Sequence, residues 1–142
     1  MLIQSFIGIF DKVHSGSFTE PQIQTVLHTD AVTNACTFWA VALHTALSLQ
    51  AGVAPSDVAA MRTGRSPSDA KLGALSTAAR TMIEKRGRLD DQDIERFVAT
   101  GFSKDLLLEV ITIVAASTIT NYTRSITYPP LEAALQAHEW KS

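Results

Sequence analysis

Residues 34–47 read Asn34-Ala35-Cys36-Thr37-Phe38-Trp39-Ala40-Val41-Ala42-Leu43-His44-Thr45-Ala46-Leu47. They lie inside a helical pattern, 20–51, that is too long to be one helix. Thr29-Asp30 and Thr33-Asn34 fall in its middle, and these residue types compete for the backbone and favour caps. A break is expected near Asn34, with Cys36 and Thr37 in the first turn of the following helix. Free N–H groups and the positive helix end would then favour a thiolate or a bound anion beside Cys36.

Outward from this stretch the punctuation is regular. Gly16, Gly52, Gly64, Gly87 and Gly101 each close a periodic segment, as helix C-caps do. Thr19 with Gln22, and Asp90 with Asp93, have capping-box spacing. Ser66-Pro67-Ser68-Asp69 offers a capping serine with proline in the first turn, and Ser103 offers another cap. The expected helices span 2–14, 20–51 with its break, 55–63, 67–86, 91–100 and 104–126, with a short one at 130–138. The segment 104–126 is apolar almost all round and reads as a central helix. Pro129-Pro130 stops it. No alternating strand pattern competes, so the expectation is one all-α domain over 1–142.

The chain is 46% hydrophobic and 18% charged, against about 25% charged in a typical soluble domain. That imbalance reads as a large core or as apolar surface buried between subunits, and a homo-oligomer is expected. Net charge is −2 and basic residues are scattered singly, which excludes the concentrated cationic footprint of a nucleic-acid binder. Cys36 is the sole cysteine, so neither a disulfide framework nor a cysteine-rich zinc site can form. His14, His28 and His138 lack metal-ligand spacing, and no metal or cofactor is expected. The apolar N-terminus has no cationic leader, and the stretch Leu106–Ala116, interrupted by Glu109, is too short to span a bilayer. A cytoplasmic protein with no membrane partner is expected.

The segment 34–47, with Gly52-Val53, "RTGRSPSDAKLGAL", "EKRG", "ATGFSKDLLLEVI", "NYT" at 121–123 and "PPLE" at 129–132, resembles the alkylhydroperoxidase D-like family, also called the carboxymuconolactone decarboxylase family. The resemblance covers residues 20–132. It implies a helical bundle, assembly as a trimer or hexamer, and antioxidant, peroxidase-type chemistry. Redox-active members carry a C-x-x-C pair followed four residues later by histidine. Counted back from His44, those cysteines fall on Thr37 and Ala40, with Cys36 one residue outside the pattern. The relay glutamate of the family falls on Thr25 or Gln24, and a histidine sometimes found after "NYT" is replaced by Ser125. An intrachain dithiol cycle is therefore absent.

Spacing matters for physical reasons. Residues four and seven before His44 lie within about 40° and 20° of its helical face, whereas Cys36 is about 80° off and roughly 12 Å away along a straight axis. The candidate catalytic residues are nonetheless His44 as acid or base, Cys36 as nucleophile with an outside thiol as resolver, and Glu109. Glu109 interrupts an apolar run, where a carboxylate is costly unless paired. It is expected to orient His44 or, at a subunit boundary, to meet Arg80. Thr37, Ala40, Asn121 and Tyr122 are the candidate pocket lining, and Thr25, Thr29, Thr33 and Thr37 form a row that can line a polar groove or bond their own backbone. Three functions follow: an antioxidant protein with weak, single-cysteine or lost peroxidase activity; a cofactor-independent lyase or isomerase using His44 and Glu109; or a non-catalytic small-ligand module.

Overall fold

The computed structural model describes residues 1–35 and 38–140. Cys36 and Thr37 lie outside the described residues. Seven α-helices run as α1 Leu2–His14, α2 Glu20–Thr33, α3 Phe38–Gln50, α4 Pro55–Arg62, α5 Ala70–Glu84, α6 Asp91–Val98 and α7 Leu106–Thr127, followed by a 3₁₀ segment, Ala133–His138. There is no strand among the described residues.

Local chemistry explains most boundaries. The reciprocal boxes form at Thr19 with Gln22 and at Asp90 with Asp93. The break in 20–51 falls where expected: α2 ends at Thr33, and Ala35 adopts a left-handed φ of 49° before the chain turns into α3. Two caps differ from the sequence reading. Helix α5 starts at Ala70, not 67, because Asp69 accepts from the Lys71 and Leu72 amides. The Ser68 amide and hydroxyl are meanwhile taken by the buried Asp57 carboxylate at 2.7 Å each. Helix α7 starts after Asp105 with no side-chain cap bond, so Ser103 does not cap it.

The central helix is α2, a correction to the reading that gave this place to α7. Nine consecutive residues of α2, Ile23 to Ala31, are buried. The main core sets Ile23, Val26 and Leu27 against Leu75, Val110 and Ile113, and closes at one end on stacked Phe97 and Phe102 rings 5.0 Å apart. Helix α7 packs on α1, α2 and α5 but leaves one face open. By length and composition its 22 residues suffice to cross a membrane, and a third of that window is buried within the bundle. It is thus longer than the Leu106–Ala116 stretch on which the sequence expectation rested.

A smaller core covers α3. Ala31, Trp39, Ala40 and Val41 pack against Leu131, Leu135 and Trp140 of the C-terminal segment. Trp39 donates through its indole N–H to Glu132, and Arg124 stacks on its ring at 3.4 Å. Arg62 pins the same segment, donating to the carbonyls of His138 and Glu139 at 2.9 Å each and to the Thr45 hydroxyl at 2.7 Å, while the Trp140 indole donates to the Arg62 carbonyl.

Gly16 is not a left-handed cap; its constraint is space. A Cβ there would lie 2.7 Å from Glu109 Oε2. The blocking atom is the end of the Glu109 side chain, so Gly16→Ala is expected to destabilise the fold by about 1 kcal/mol, through the Ser17 bonds that the carboxylate must shift, and Glu109→Ala to relieve part of that cost. A double-mutant cycle by urea unfolding reads the coupling, expected above about 0.5 kcal/mol; additive effects would mean that the close approach has no energetic weight.

Candidate functional site

Helix α2 carries Glu20, Gln24 and His28 at successive i, i+4 positions, and α3 presents His44 and Ser48 to them. His44 is buried at 8% exposure, and its Nδ1 lies 3.1 Å from Gln24 Oε1. Gln24 in turn donates through Nε2 to Glu20 Oε1 at 2.7 Å, and Glu20 Oε2 lies 3.2 Å from His14 Nδ1 at the surface. The order fixes the tautomer. An ionised carboxylate accepts only, so the Gln24 amide turns its NH₂ to Glu20 and its oxygen to His44. His44 must then carry its proton on Nδ1, which leaves the Nε2 lone pair free to accept.

Burial pushes the His44 imidazole down from 6.5 to about 4, so it is neutral at pH 7. His28 is driven lower, to about 3, first by burial and then by the neighbouring His44 and Arg62 charges. Its Nδ1 stands 3.5 Å from the Ser48 hydroxyl, and its Nε2 has no hydrogen-bond partner. The α2–α3 seam thus holds two buried imidazoles that are neutral at pH 7.

On the opposite side of α2, the fully buried Asp30 is held by neutral donors. Asn121 Nδ2 donates to it at 2.7 Å, Asn34 Nδ2 at 3.0 Å, and Ser117 bonds it as well. Burial raises its carboxyl from 3.8 to about 6 against the opposing pull of those bonds. Thr29 donates to Ser76 of α5 at 2.9 Å, while Thr25 and Thr33 bond backbone carbonyls one turn back in α2. Thr25, Thr29 and Thr33 of the threonine row therefore serve packing and their own helix, and Thr37 lies outside the described residues.

The sequence-predicted residues separate. His44 is at the α2–α3 seam. Glu109 is at the start of α7, where both carboxylate oxygens accept from Ser17, from its amide at 2.8 Å and its hydroxyl at 2.6 Å. It anchors the α1–α2 turn instead of orienting His44, because a half-buried carboxylate at the edge of an apolar helix finds its nearest donors in that turn. Ala40 is buried against Trp39 in the α3 core, and Asn121 is bound to Asp30 and Ser117. Tyr122 points outward at 58% exposure, so it does not close a pocket with Asn121. Cys36 and Thr37, and with them the sulfur–imidazole separation, lie outside the described residues. Sequence reasoning missed Glu20, His28 and Asp30. The i, i+4, i+8 spacing of Glu20, Gln24 and His28 was the available signal for the first two.

No family model matches the chain, and no curated protein matches it. Among solved structures it is similar to an uncharacterized peroxidase-related protein from Silicibacter sp. TM1040, with a TM-score of 0.77, 17% identity, and coverage of 97% of this chain and 73% of that one. At this identity the likeness shows the fold alone, an all-helical bundle.

The buried titratable groups set a pH signature. Unfolded histidines take up protons near 6.5, before His28 and His44 do in the folded chain, so their contribution to stability is lost as pH falls below 6.5. Asp30 acts oppositely: it keeps its proton to about 6 when folded but releases it at 3.8 unfolded, so its contribution is lost as pH rises through that window. Between pH 4.5 and 6, two histidines against one aspartate leave a net loss on acidification of about 1.4 kcal/mol per pH unit. Asp30→Asn should steepen this to about 3 kcal/mol per unit. Urea unfolding across the window reads the slope, and an unchanged slope in the variant would refute the assignment.

Proposed function

We propose that this chain is a divergent, peroxidase-related member of the alkylhydroperoxidase D-like family whose working site is an acid–base chain, Glu20–Gln24–His44, combined with single-cysteine thiol chemistry at Cys36. The observation that carries the reading is the Gln24 bridge. It stands at one of the two positions, Thr25 being the other, where the resemblance puts a relay glutamate; it orients His44 and passes the electrostatic influence of a carboxylate one turn earlier through an amide. A neutral imidazole with a free Nε2 accepts a proton at pH 7, although a pKa near 4 makes it a weak base. The buried imidazolium so formed is stabilised through Gln24 by Glu20, as a carboxylate stabilises histidine in a triad.

With a lone cysteine the redox balance needs an outside thiol. Helix α3 runs from Phe38, so the straight-axis spacing does not bind Cys36; in this reading its thiol passes its proton to His44, and its sulfur attacks the peroxide, forming S–O as O–O breaks. The departing oxygen recovers the proton as alcohol or water, leaving a sulfenic acid. One external thiol condenses with it, releasing water and forming a mixed disulfide. A second external thiol displaces Cys36, which returns to the thiol as the external disulfide leaves. Such chemistry belongs to a reducing compartment such as the cytoplasm. The lyase reading rests on His44 working with Glu109, and the Ser17 bonds to Glu109 favour the thiol reading over it.

Peroxide consumption with an added small thiol tests the proposal. Cys36→Ser is expected to abolish the thiol-dependent rate, and His44→Gln to lower it by about 10²–10⁴. Gln24→Leu should cause a smaller fall with the Cys36-dependent step intact. Equal rates in wild type and Cys36→Ser would remove the thiol mechanism and leave the bundle as a ligand-binding module.

A further inference from the structure

Two residues before Cys36 the chain leaves α2, and a carboxylate holds it there. Asn34, the C-cap of that helix, is bound twice to Asp30: its backbone N–H donates to the Asp30 carbonyl at 3.0 Å, and its side-chain Nδ2 donates to Asp30 Oδ1 at 3.0 Å. The second carboxylate oxygen, Oδ2, accepts from Asn121 Nδ2 of α7 at 2.7 Å, and the same amide nitrogen donates to Ser117 Oγ at 3.1 Å. Asp30, Ser117 and Asn121 are all at or near zero exposure. One buried side chain thus clamps the end of α2 to α7.

The residue that follows needs such a clamp. Ala35 sits at φ 49°, in the left-handed region that a Cβ disfavours. Helices α3 and α4 are each followed by a glycine in that conformation, Gly52 and Gly64. An alanine stays there where its surroundings over-determine the backbone. The bond from the Ala35 amide to the Val32 carbonyl, 3.1 Å, shapes the turn from within, and the Asp30 carboxylate ties it to a second helix.

Packing alone would not select a charge at this position. Asp30 is fully buried, its side-chain partners Asn34, Ser117 and Asn121 are neutral, and it stands in the last turn of α2, where the helix end is itself negative. A neutral acceptor would cost less to bury. A carboxylate, however, offers two oxygens that accept and need no acceptor in return, so it takes one amide from each side.

We propose that Asp30 is a positioning residue for Cys36: through Asn34 it holds against α7 the turn that delivers the cysteine. Its role is exerted on the backbone after α2 and not on the reacting atoms. The consequence for chemistry rests on the reading of Cys36 as the working thiol, whereas the hold on the turn does not.

Hydrogen–deuterium exchange over residues 32–40 of the full chain, read by mass spectrometry, tests the hold, and peroxide consumption with an added small thiol reads its consequence. Asp30→Asn and Asn34→Ala are each expected to speed exchange of this segment about fivefold or more, with α6 exchanging as in wild type, and to lower the thiol-dependent rate by about the same factor. The double variant Asp30→Asn/Asn34→Ala should do no worse than either single change, because the two residues act as one unit. The transposed pair, Asp30→Asn/Asn34→Asp, rebuilds the bond in reverse: the new amide at position 30 donates to the new carboxylate at position 34 while its oxygen accepts from Asn121. It should restore slow exchange and return the rate to within about twofold of wild type. Thr29→Ala removes the neighbouring buried bond to Ser76 and controls for lost stability; it should leave both readouts unchanged. Unchanged exchange in the single variants, additive losses in the double, a transposed pair that exchanges as fast as the singles, or a Thr29→Ala effect equal to that of Asp30→Asn would each overturn the proposal. If Asp30→Asn does not fold, Asn34→Ala and the transposed pair decide it. A wild type that consumes no peroxide, with the exchange pattern as expected, would remove the thiol chemistry and support the clamp.

Discussion

A helix buried on every side must find partners for whatever polar groups it carries, and α2 carries many. Gln24, Thr25, His28, Thr29 and Asp30 are all at or near zero exposure. Leaving such groups unpaired costs about 1–3 kcal/mol each, so the surrounding helices are specified by what they offer. Helix α3 supplies His44 and Ser48, α5 supplies Ser76, and α7 supplies Asn121 and Ser117. The apolar residues of α2 would pack in many arrangements. The hydrogen bonds select one, and in doing so place an imidazole beside an amide backed by a carboxylate.

The same constraint explains what was legible in the sequence. Glycine and capping signals are local, so Thr19 with Gln22, Asp90 with Asp93, and the break after Thr33 could be read directly. The burial order of the helices could not. Helix α7 has the apolar composition of a core helix but an open face, whereas α2, with its mixed composition, is enclosed. Periodicity reports which side of a helix is greasy, not how many neighbours surround it. The Ser66–Pro67 start of α5 failed for a tertiary reason: Asp57, 11 residues before Ser68, takes the Ser68 amide that a Ser66 cap would have bound, and the Ser66 hydroxyl pairs with Thr77.

The site was legible in part. His44 was singled out by its place in the motif, and Gln24 was named as a position where a carboxylate is missing. What linear reading could not show is that a carboxylate, Glu20, stands one turn earlier in contact with the Gln24 side chain. Glu109 was misassigned because a lone acid in an apolar run looks unsatisfied until the α1–α2 turn folds back to meet it with two donors from Ser17. An amide in this place orients the imidazole and keeps the Glu20 charge one side chain away, while burial keeps His44 neutral at rest.

The cover over α3 has a consequence for how the protein matures. Trp39 and the small residues after it are shielded by Leu131, Leu135 and Trp140, and the bond from Trp39 to Glu132 joins positions 93 residues apart. A ribosome delivers those shielding residues long after α3 has emerged, and domains acquire tertiary structure only once the required partners are out. For most of translation the motif helix therefore waits with one apolar flank open. Chaperone occupancy of the nascent chain is expected to centre on the Trp39 region and to end when the segment that Arg62 pins has cleared the exit tunnel.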